Sequence, residues 1–388
     1  MKFRVERDVL TEAVSWAARS LSPRPPVPVL SGLLLKAEAG TLSLSSFDYE
    51  ISARLQIPAD ISEEGTILVS GRLLADICRS LPAAPVEVET DGNKVTLTCR
   101  SSRFHLATMP VGDYPELPAL PEISGTVDGD AFAQAVSQVI IASSKDDTLP
   151  VLTGVKMEIE GDLITLLATD RYRLSLREIH WNPTSPNISA SALVKAKTLS
   201  EVAKTLGSSG NINIALSDNS ELIGFESGGR RTTSLLVDGD YPKIRSLFPD
   251  TTPIHATVET HALAEAVRRV SLVAERNTPV RLIFTDGQLT LDAGTGEDAQ
   301  ASENLEASLF GEEITVAFNP HYLSEGLSAF DSKYVRFSKP EPDKQTGARR
   351  TTSEPPPPIA IPKRPELGQE PVRGKGMDPM APGPCLFL

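Results

Sequence analysis

Arg72 and Arg79 stand seven residues apart, and so do Lys197 and Lys204. Seven residues are two turns of a helix, so the members of each pair point the same way. Cations in such a row can track phosphates without reading bases. Arg24, Lys145, Arg268 and Arg269 add to them. The residue types for bond-making chemistry are not arranged for it. The five histidines show no ligand or triad spacing, and Cys78, Cys99 and Cys385 offer neither a zinc site nor a disulfide framework. Asp146-Asp147 has no third carboxylate at ligand spacing. Gly294-Thr295-Gly296-Glu297-Asp298-Ala299 superficially matches a dinucleotide loop, but no helical pattern follows it. A DNA-cleaving enzyme needs clustered acidic metal ligands, and none are visible. The residues therefore point to binding: no catalytic site, no metal and no cofactor.

The net charge of −13 argues against a conventional tight DNA binder. It leaves open a protein whose basic groups are segregated onto one surface of an otherwise acidic molecule. No run of 18 apolar residues occurs, and no apolar run follows Lys2, Arg4 and Arg7, so export and membrane spanning are not expected. The expected location is cytoplasmic.

The elements that must position these cations are repeated. Pro28-Val29-Leu30-Ser31-Gly32 recurs as Pro150-Val151-Leu152-Thr153-Gly154, 122 residues on, and Pro279-Val280-Arg281 is a degenerate third copy. A period of this size is a whole domain, well above that of solenoid repeats. Each run follows an amphipathic helix: Leu10, Val14 and Ala17, then Phe132, Val136 and Val139, then Leu263, Val267 and Val270 mark one buried face. Alternating strands come next, then a second helix whose apolar stripes align as Leu74-Ile77-Cys78-Leu81, Leu199-Val202-Ala203-Leu206 and Leu323-Gly326-Leu327-Phe330. The paired cations lie opposite these stripes, with His321 and Ser328 at the matching places of the third copy. Copies one and two close with strand hairpins and a shared turn, Gly112-Asp113-Tyr114-Pro115 and Gly239-Asp240-Tyr241-Pro242.

The expected fold is α+β: three tandem copies of a two-helix, antiparallel-sheet domain, the third truncated. The boundaries are 1–118, 123–250 and 254–338, the last incomplete. No hairpin pair is predicted after Ser338. Residues 339–388 hold 12 of the chain's 31 prolines and read as a disordered tail.

Several separated segments resemble the bacterial DNA sliding clamp family, the beta subunits of DNA polymerase III. They are Met1-Lys2-Phe3-Arg4-Val5-Glu6-Arg7, Val29-Leu30-Ser31-Gly32 and Ser102-Arg103-Phe104-His105-Leu106. Further matches are Ala168-Thr169-Asp170-Arg171-Tyr172-Arg173-Leu174, Leu236-Val237-Asp238-Gly239-Asp240-Tyr241-Pro242 and Ala317-Phe318-Asn319-Pro320. The resemblance implies a head-to-tail homodimer ring around duplex DNA, lined by Arg24, Arg72, Arg79, Lys145, Lys197, Lys204, Arg268 and Arg269. A closed ring holds its DNA by enclosure, which reconciles the acidic total with DNA binding. The dimer contact falls to Arg103, Phe104 and Leu106 on one side and Leu272 and Val273 on the other. A pocket for peptides of the replicative polymerase and clamp-loader subunits falls to Leu152, Thr169, Arg171, Tyr172, Arg173, Leu174, Pro242 and Leu247. The family normally ends in a Met-Pro-x-Arg-Leu motif that completes this pocket, and this chain does not. The second reading is thus a truncated or regulatory clamp paralogue with impaired peptide binding. Leu386-Phe387-Leu388 resembles the apolar anchor of clamp-binding peptides and is a candidate to fold back into the pocket.

Overall fold

The computed structural model describes residues 1–22, 24–207, 210–217, 221–248, 252–274, 278–294 and 299–339, with the backbone alone at 385–387. Copy one opens with β1 (Lys2–Val5) and α1 (Arg7–Ala17). Five strands follow: β2 (Gly32–Glu38), β3 (Thr41–Phe47), β4 (Ile51–Pro58), β5 (Asp60–Glu63) and β6 (Gly65–Ser70). Then come α2 (Gly71–Ser80) and β7 (Val86–Asp91), β8 (Lys94–Cys99) and β9 (Ser102–Met109).

Copy two repeats this order. It runs β10 (Ile123–Asp128), α3 (Gly129–Ile140), β11 (Gly154–Glu160), β12 (Leu163–Thr169) and β13 (Leu174–His180). The short β14 (Asn182–Pro183), β15 (Ser189–Lys195) and α4 (Ala196–Leu206) lead to β16 (Asn211–Leu216), β17 (Leu222–Ser227) and β18 (Arg230–Leu235). Copy three gives β19 (Ile254–Glu259), α5 (Thr260–Val270), β20 (Val280–Thr285), β21 (Gln288–Ala293) and β22 (Ala301–Phe310). It continues with β23 (Ile314–Phe318), α6 (Pro320–Ser328) and β24 (Tyr334–Lys339). Here one long strand, β22, pairs with both β21 and β19, the work that β4 and β5 divide in copy one.

The predicted stripes are the buried faces. Leu10, Val14 and Ala17 of α1 are fully buried, as are Leu263, Val267 and Val270 of α5. The repeated Pro-Val-Leu-x-Gly run also has a physical cause. A Cβ on Gly32 would meet Leu68 Cδ1 at 2.6 Å, and one on Gly154 would meet Leu193 Cδ1 at 2.7 Å. Only a residue without a side chain lets the strand pass its neighbour there. The repeated Asp-Tyr-Pro turn is pinned in both copies by its tyrosine hydroxyl. The Tyr114 hydroxyl accepts from the Phe47 N–H at 2.7 Å, and the Tyr241 hydroxyl donates to the Leu167 carbonyl at 3.5 Å. Burial pushes the Tyr114 phenol up to about 12 and raises that of Tyr241 as well.

The compact units do not follow the copies. One comprises Met1–Phe132, Trp181–Pro186 and Glu201–Leu236, and the other comprises Ala133–His180, Asn187–Ser200 and Val237–Leu388. The cause is a strand join that periodicity does not announce. β18, the last strand of copy two, pairs antiparallel with β4 of copy one, from Arg230↔Leu55 to Ser234↔Ile51. The Ser52 and Thr233 hydroxyls meet across this ladder at 2.5 Å. In the first unit the result is one 14-stranded sheet, ordered β14-β10-β16-β17-β18-β4-β3-β2-β6-β9-β8-β7-β1-β5.

The second unit holds a four-stranded sheet, β13-β12-β11-β15, and a seven-stranded one through copy three. Copy three has its own core, in which Phe337 lies 5.2 Å from Phe284 and 6.3 Å from Phe318 by ring centroids. After β24 the described backbone resumes at β25 (Cys385–Phe387), which pairs parallel with β24. In copies one and two that place next to β7 and β16 is taken by antiparallel β8 and β17. Of the candidate fold-back segment, Leu386 and Phe387 lie along β24, opposite Phe337 and Ser338. The remainder of the predicted tail, 340–384 and Leu388, lies outside the described residues.

Candidate functional site

Five of the eight predicted pocket residues fall on one corner, between β12 and β13. Asp170 shapes it: its Oδ1 accepts from the N–H groups of Tyr172 and Arg173, both at 3.0 Å. Such a local side-chain bond substitutes for the ladder where the chain reverses. The Thr169 hydroxyl donates to the Arg173 carbonyl at 2.8 Å and closes the loop. Arg171 sits at the apex and is exposed.

Arg173 turns inward, and its side chain is only 5% exposed. Its Nε donates to Asp170 Oδ2 at 3.1 Å, and its guanidinium lies 4.5 Å from the centroid of the Tyr322 ring. Its Nη2 is 2.6 Å from Glu325 Oε2, an ion pair whose alignment falls short of a hydrogen bond. Two carboxylates and an aromatic face thus surround one buried cation and compensate its charge. Tyr172 stacks on Tyr322 with centroids 6.4 Å apart.

Leu174 lies beneath the corner in an apolar cluster with Leu167, Leu176 and Ile244, packed by Tyr241 and Phe248. Leu152 is buried as well. These two leucines therefore serve the core. Apolar surface at the site comes instead from Tyr172, 54% exposed, and Leu247, 62% exposed, with exposed Pro242 on the turn before Leu247. A corner of this kind can anchor apolar side chains and offer guanidinium hydrogens to a carbonyl. Sequence reasoning missed Tyr322 and Glu325, although the aligned second helices placed them one residue before and two residues after Leu323.

Most of the predicted phosphate contacts are not bare cations. Arg79 pairs with Asp76, Lys204 with Glu201 at 4.0 Å and Arg268 with Glu265 at 2.9 Å. Arg269 reaches Glu303 at 2.5 Å, a contact that holds the Glu303 carboxyl below the usual carboxylate range. Lys145 meets Glu325 at 3.1 Å, and Arg72 donates to the Leu21 carbonyl at 3.3 Å. Arg24 and Lys197 are exposed, and Lys197 has no ion pair among the described residues. The spacing that puts a cation on a helix face also puts a carboxylate three residues before it. Exposed pairs of this kind contribute between zero and about 1 kcal/mol, so phosphates can exchange with them.

The predicted dimer residues divide similarly. Arg103 is exposed and Phe104 half-buried on β9, whereas Leu106 lies inside the core beside Phe3 and Leu10. Strand alternation puts Leu106 on the core face, so its side chain is not available to a partner. Leu272 is 84% exposed, and Val273 packs partly against the core of copy three. Among the described residues, no three His, Cys, Asp or Glu side chains gather as a metal ion would require.

The chain matches three family models in succession. These are the N-terminal domain of the DNA polymerase III beta subunit over residues 1–118, the central domain over 126–243 and the C-terminal domain over 245–354. It is 69% identical over 309 residues to the beta sliding clamp of Micrococcus luteus, covering 80% of this chain and 100% of the relative. It is 60% identical over 341 residues to that of Streptomyces coelicolor, covering 87% of this chain and 91% of the relative. The crystal structure of the Bacillus subtilis DNA polymerase sliding clamp superposes with a TM-score of 0.82 at 27% identity, over 87% of this chain and 92% of that one. The chain belongs to the DNA polymerase III beta-subunit family of sliding clamps.

Proposed function

We propose that two copies of this chain close head to tail into a ring around duplex DNA and act as a processivity factor without catalysis of their own. The observation that carries the reading is the β18–β4 ladder. It joins the last strand of one copy to the fourth strand of the copy before it. The strands left for the same join are β9, the last strand of copy one, and β22, the counterpart of β4 in copy three. No described strand pairs with the outer edge of β9 at Ser102–Ala107 or with that of β22 at Ala301–Glu306. Pairing β9 of one subunit with β22 of the next repeats the internal rule and closes a ring at two subunits. Leu272, the most exposed large apolar residue described, would be covered there, with Val273, Arg103 and Phe104 around it.

Arg24, Arg72, Arg79, Lys145, Lys197, Lys204, Arg268 and Arg269 would meet phosphates weakly and without sequence preference, as sliding requires. The Arg173 corner, with Thr169, Arg171, Tyr172, Pro242 and Leu247, would take a short peptide from the replicative polymerase or clamp loader, supported from beneath by Leu152 and Leu174. A protein acting on chromosomal DNA in this way would work in the cytoplasm. The test is retention on nicked circular DNA. Enclosure predicts that linearising the circle releases the protein, and retention on the linear form would sink the reading.

One observation favours a second reading, a regulatory paralogue with weakened peptide binding. In copy three the strand beside β24 is the parallel β25, where copies one and two have an antiparallel hairpin. Peptide binding by fluorescence anisotropy separates the two readings.

A further inference from the structure

A leucine stands six residues after the tyrosine of each repeated turn: Leu120 after Tyr114 and Leu247 after Tyr241. Leu247 is 62% exposed, whereas Leu120 is half-buried against the 14-stranded sheet. A Cβ on Gly224 of β17 would meet Leu120 Cδ1 at 2.3 Å, so the bare glycine is what seats this leucine. The segment after the turn is thereby held over the sheet and walls a groove of about 470 Å³, lined by Leu120, Pro121, Leu216, Leu222 and Leu235. Ligand sites commonly measure roughly 300–1,000 Å³. Backbone bonds fix the far wall. The Leu235 N–H donates to the Glu50 carbonyl at 2.8 Å, and the Leu236 N–H donates to the Glu221 carbonyl at 2.9 Å. The Leu235 side chain is nonetheless 45% exposed at the end of β18.

We infer that this groove binds a short extended segment of a partner protein, one that carries apolar side chains and at least one lysine or arginine. Its leucine walls supply affinity through burial. The charge of the occupant follows from the rim: exposed Glu122 and Glu221 line the groove, and no lysine or arginine does. These acids repel a phosphate backbone, and a second copy of this chain brings a net charge of −13. A groove of this volume admits a chain segment and not a folded face. The inference does not depend on the Arg173 corner, whose exposed Lys145 and Arg171 are of opposite sign.

The test uses the full chain and two fluorescein-labelled probes, Lys-Leu-Pro-Leu-Lys and Glu-Leu-Pro-Leu-Glu, read by fluorescence anisotropy. The wild type binds the basic probe about fivefold more tightly, the size of two exposed charge contacts. Leu235→Ala weakens both probes about tenfold through lost apolar contact. The double variant Glu122→Gln, Glu221→Gln brings the ratio of the two affinities to about one, and it removes no leucine, so it does not depend on the first variant folding. Equal wild-type affinities, no binding of the basic probe, or an unchanged affinity in Leu235→Ala overturns the inference. So does loss of binding in Leu247→Ala, which would put the probe at the Arg173 corner. Sedimentation adds a last check: a species larger than a dimer in the wild type but not in Leu235→Ala would make a second copy the occupant and overturn the proposal.

Discussion

Tyr49 and Arg171 hold the same left-handed backbone, φ 74° and 78°, at the same position of two successive copies. Few residues other than glycine adopt this conformation, and neither is small. Each stands one residue after an aspartate that caps the turn. Asp48 Oδ1 accepts from Glu50 and Ile51 as Asp170 Oδ1 does from Tyr172 and Arg173. The repeat thus preserves a strained corner as well as a hydrophobic pattern.

Asp48→Ala removes only the turn bonds and should cost about 1–2 kcal/mol by urea denaturation. Asp170→Ala removes the same bonds and also strips a carboxylate from the buried Arg173. It should cost more, about 3 kcal/mol, because the buried guanidinium keeps only one of its two carboxylates, Glu325. Equal costs for the two variants would contradict the account of Arg173.

Leu272→Asp should halve the mass measured by sedimentation at micromolar concentration. A side chain 84% exposed contributes little to the folded monomer, so the thermal transition of the subunit should move by less than the effect of about 0.5 kcal/mol. An unchanged mass would remove Leu272 from the dimer contact.

Lys197 and Arg79 provide a paired comparison on DNA. Lys197 would meet phosphate without giving up a described partner, whereas Arg79 would have to leave Asp76. Lys197→Ala should weaken binding to duplex DNA more than Arg79→Ala does, and reduce the slope of log affinity against log salt by about 1.

The stability that Glu325 supplies depends on pH. Its burial raises the carboxyl, but contact with Arg173 and Lys145, with the added charge of Arg173 and His321, outweighs that and holds it below the usual glutamate value. A folded value below the unfolded one stabilises the fold above the unfolded pKa of about 4.3. That contribution is lost as pH falls through the lower, folded value. Glu325→Gln should therefore be less stable than wild type at pH 7, and the difference should shrink below about pH 4 in chemical denaturation.

Cys78 should resist iodoacetamide at pH 8 in the native protein and react after unfolding, as mapped by mass spectrometry. It is fully buried, and desolvation pushes its thiol up to about 12, so almost no thiolate exists to react.

Periodicity made the copies, their helix faces and the Asp-Tyr-Pro turns readable, because those features recur with burial in each copy. The β18–β4 join was not readable, since pairing across copies depends on strand edges and leaves no mark on inward-facing residues. The same limit explains Leu106. Its motif suggested a partner contact, while alternation along β9 assigned the side chain to the core. Spacing located the cations of the second helices but not their pairs. A count of like charges ignores the carboxylate one turn earlier, and Glu325 matters because Ser328 replaces the cation that would have occupied it.

The ladder between Arg230–Ser234 and Ile51–Leu55 also changes what the connecting peptide after Tyr114 has to do. Cutting the main chain between Glu116 and Pro121 would break one covalent bond and no rung of the 14-stranded sheet. The two fragments should elute together until denaturant is added. That segment is a tether, not a hinge, and the protein could be split there and reassembled from its pieces.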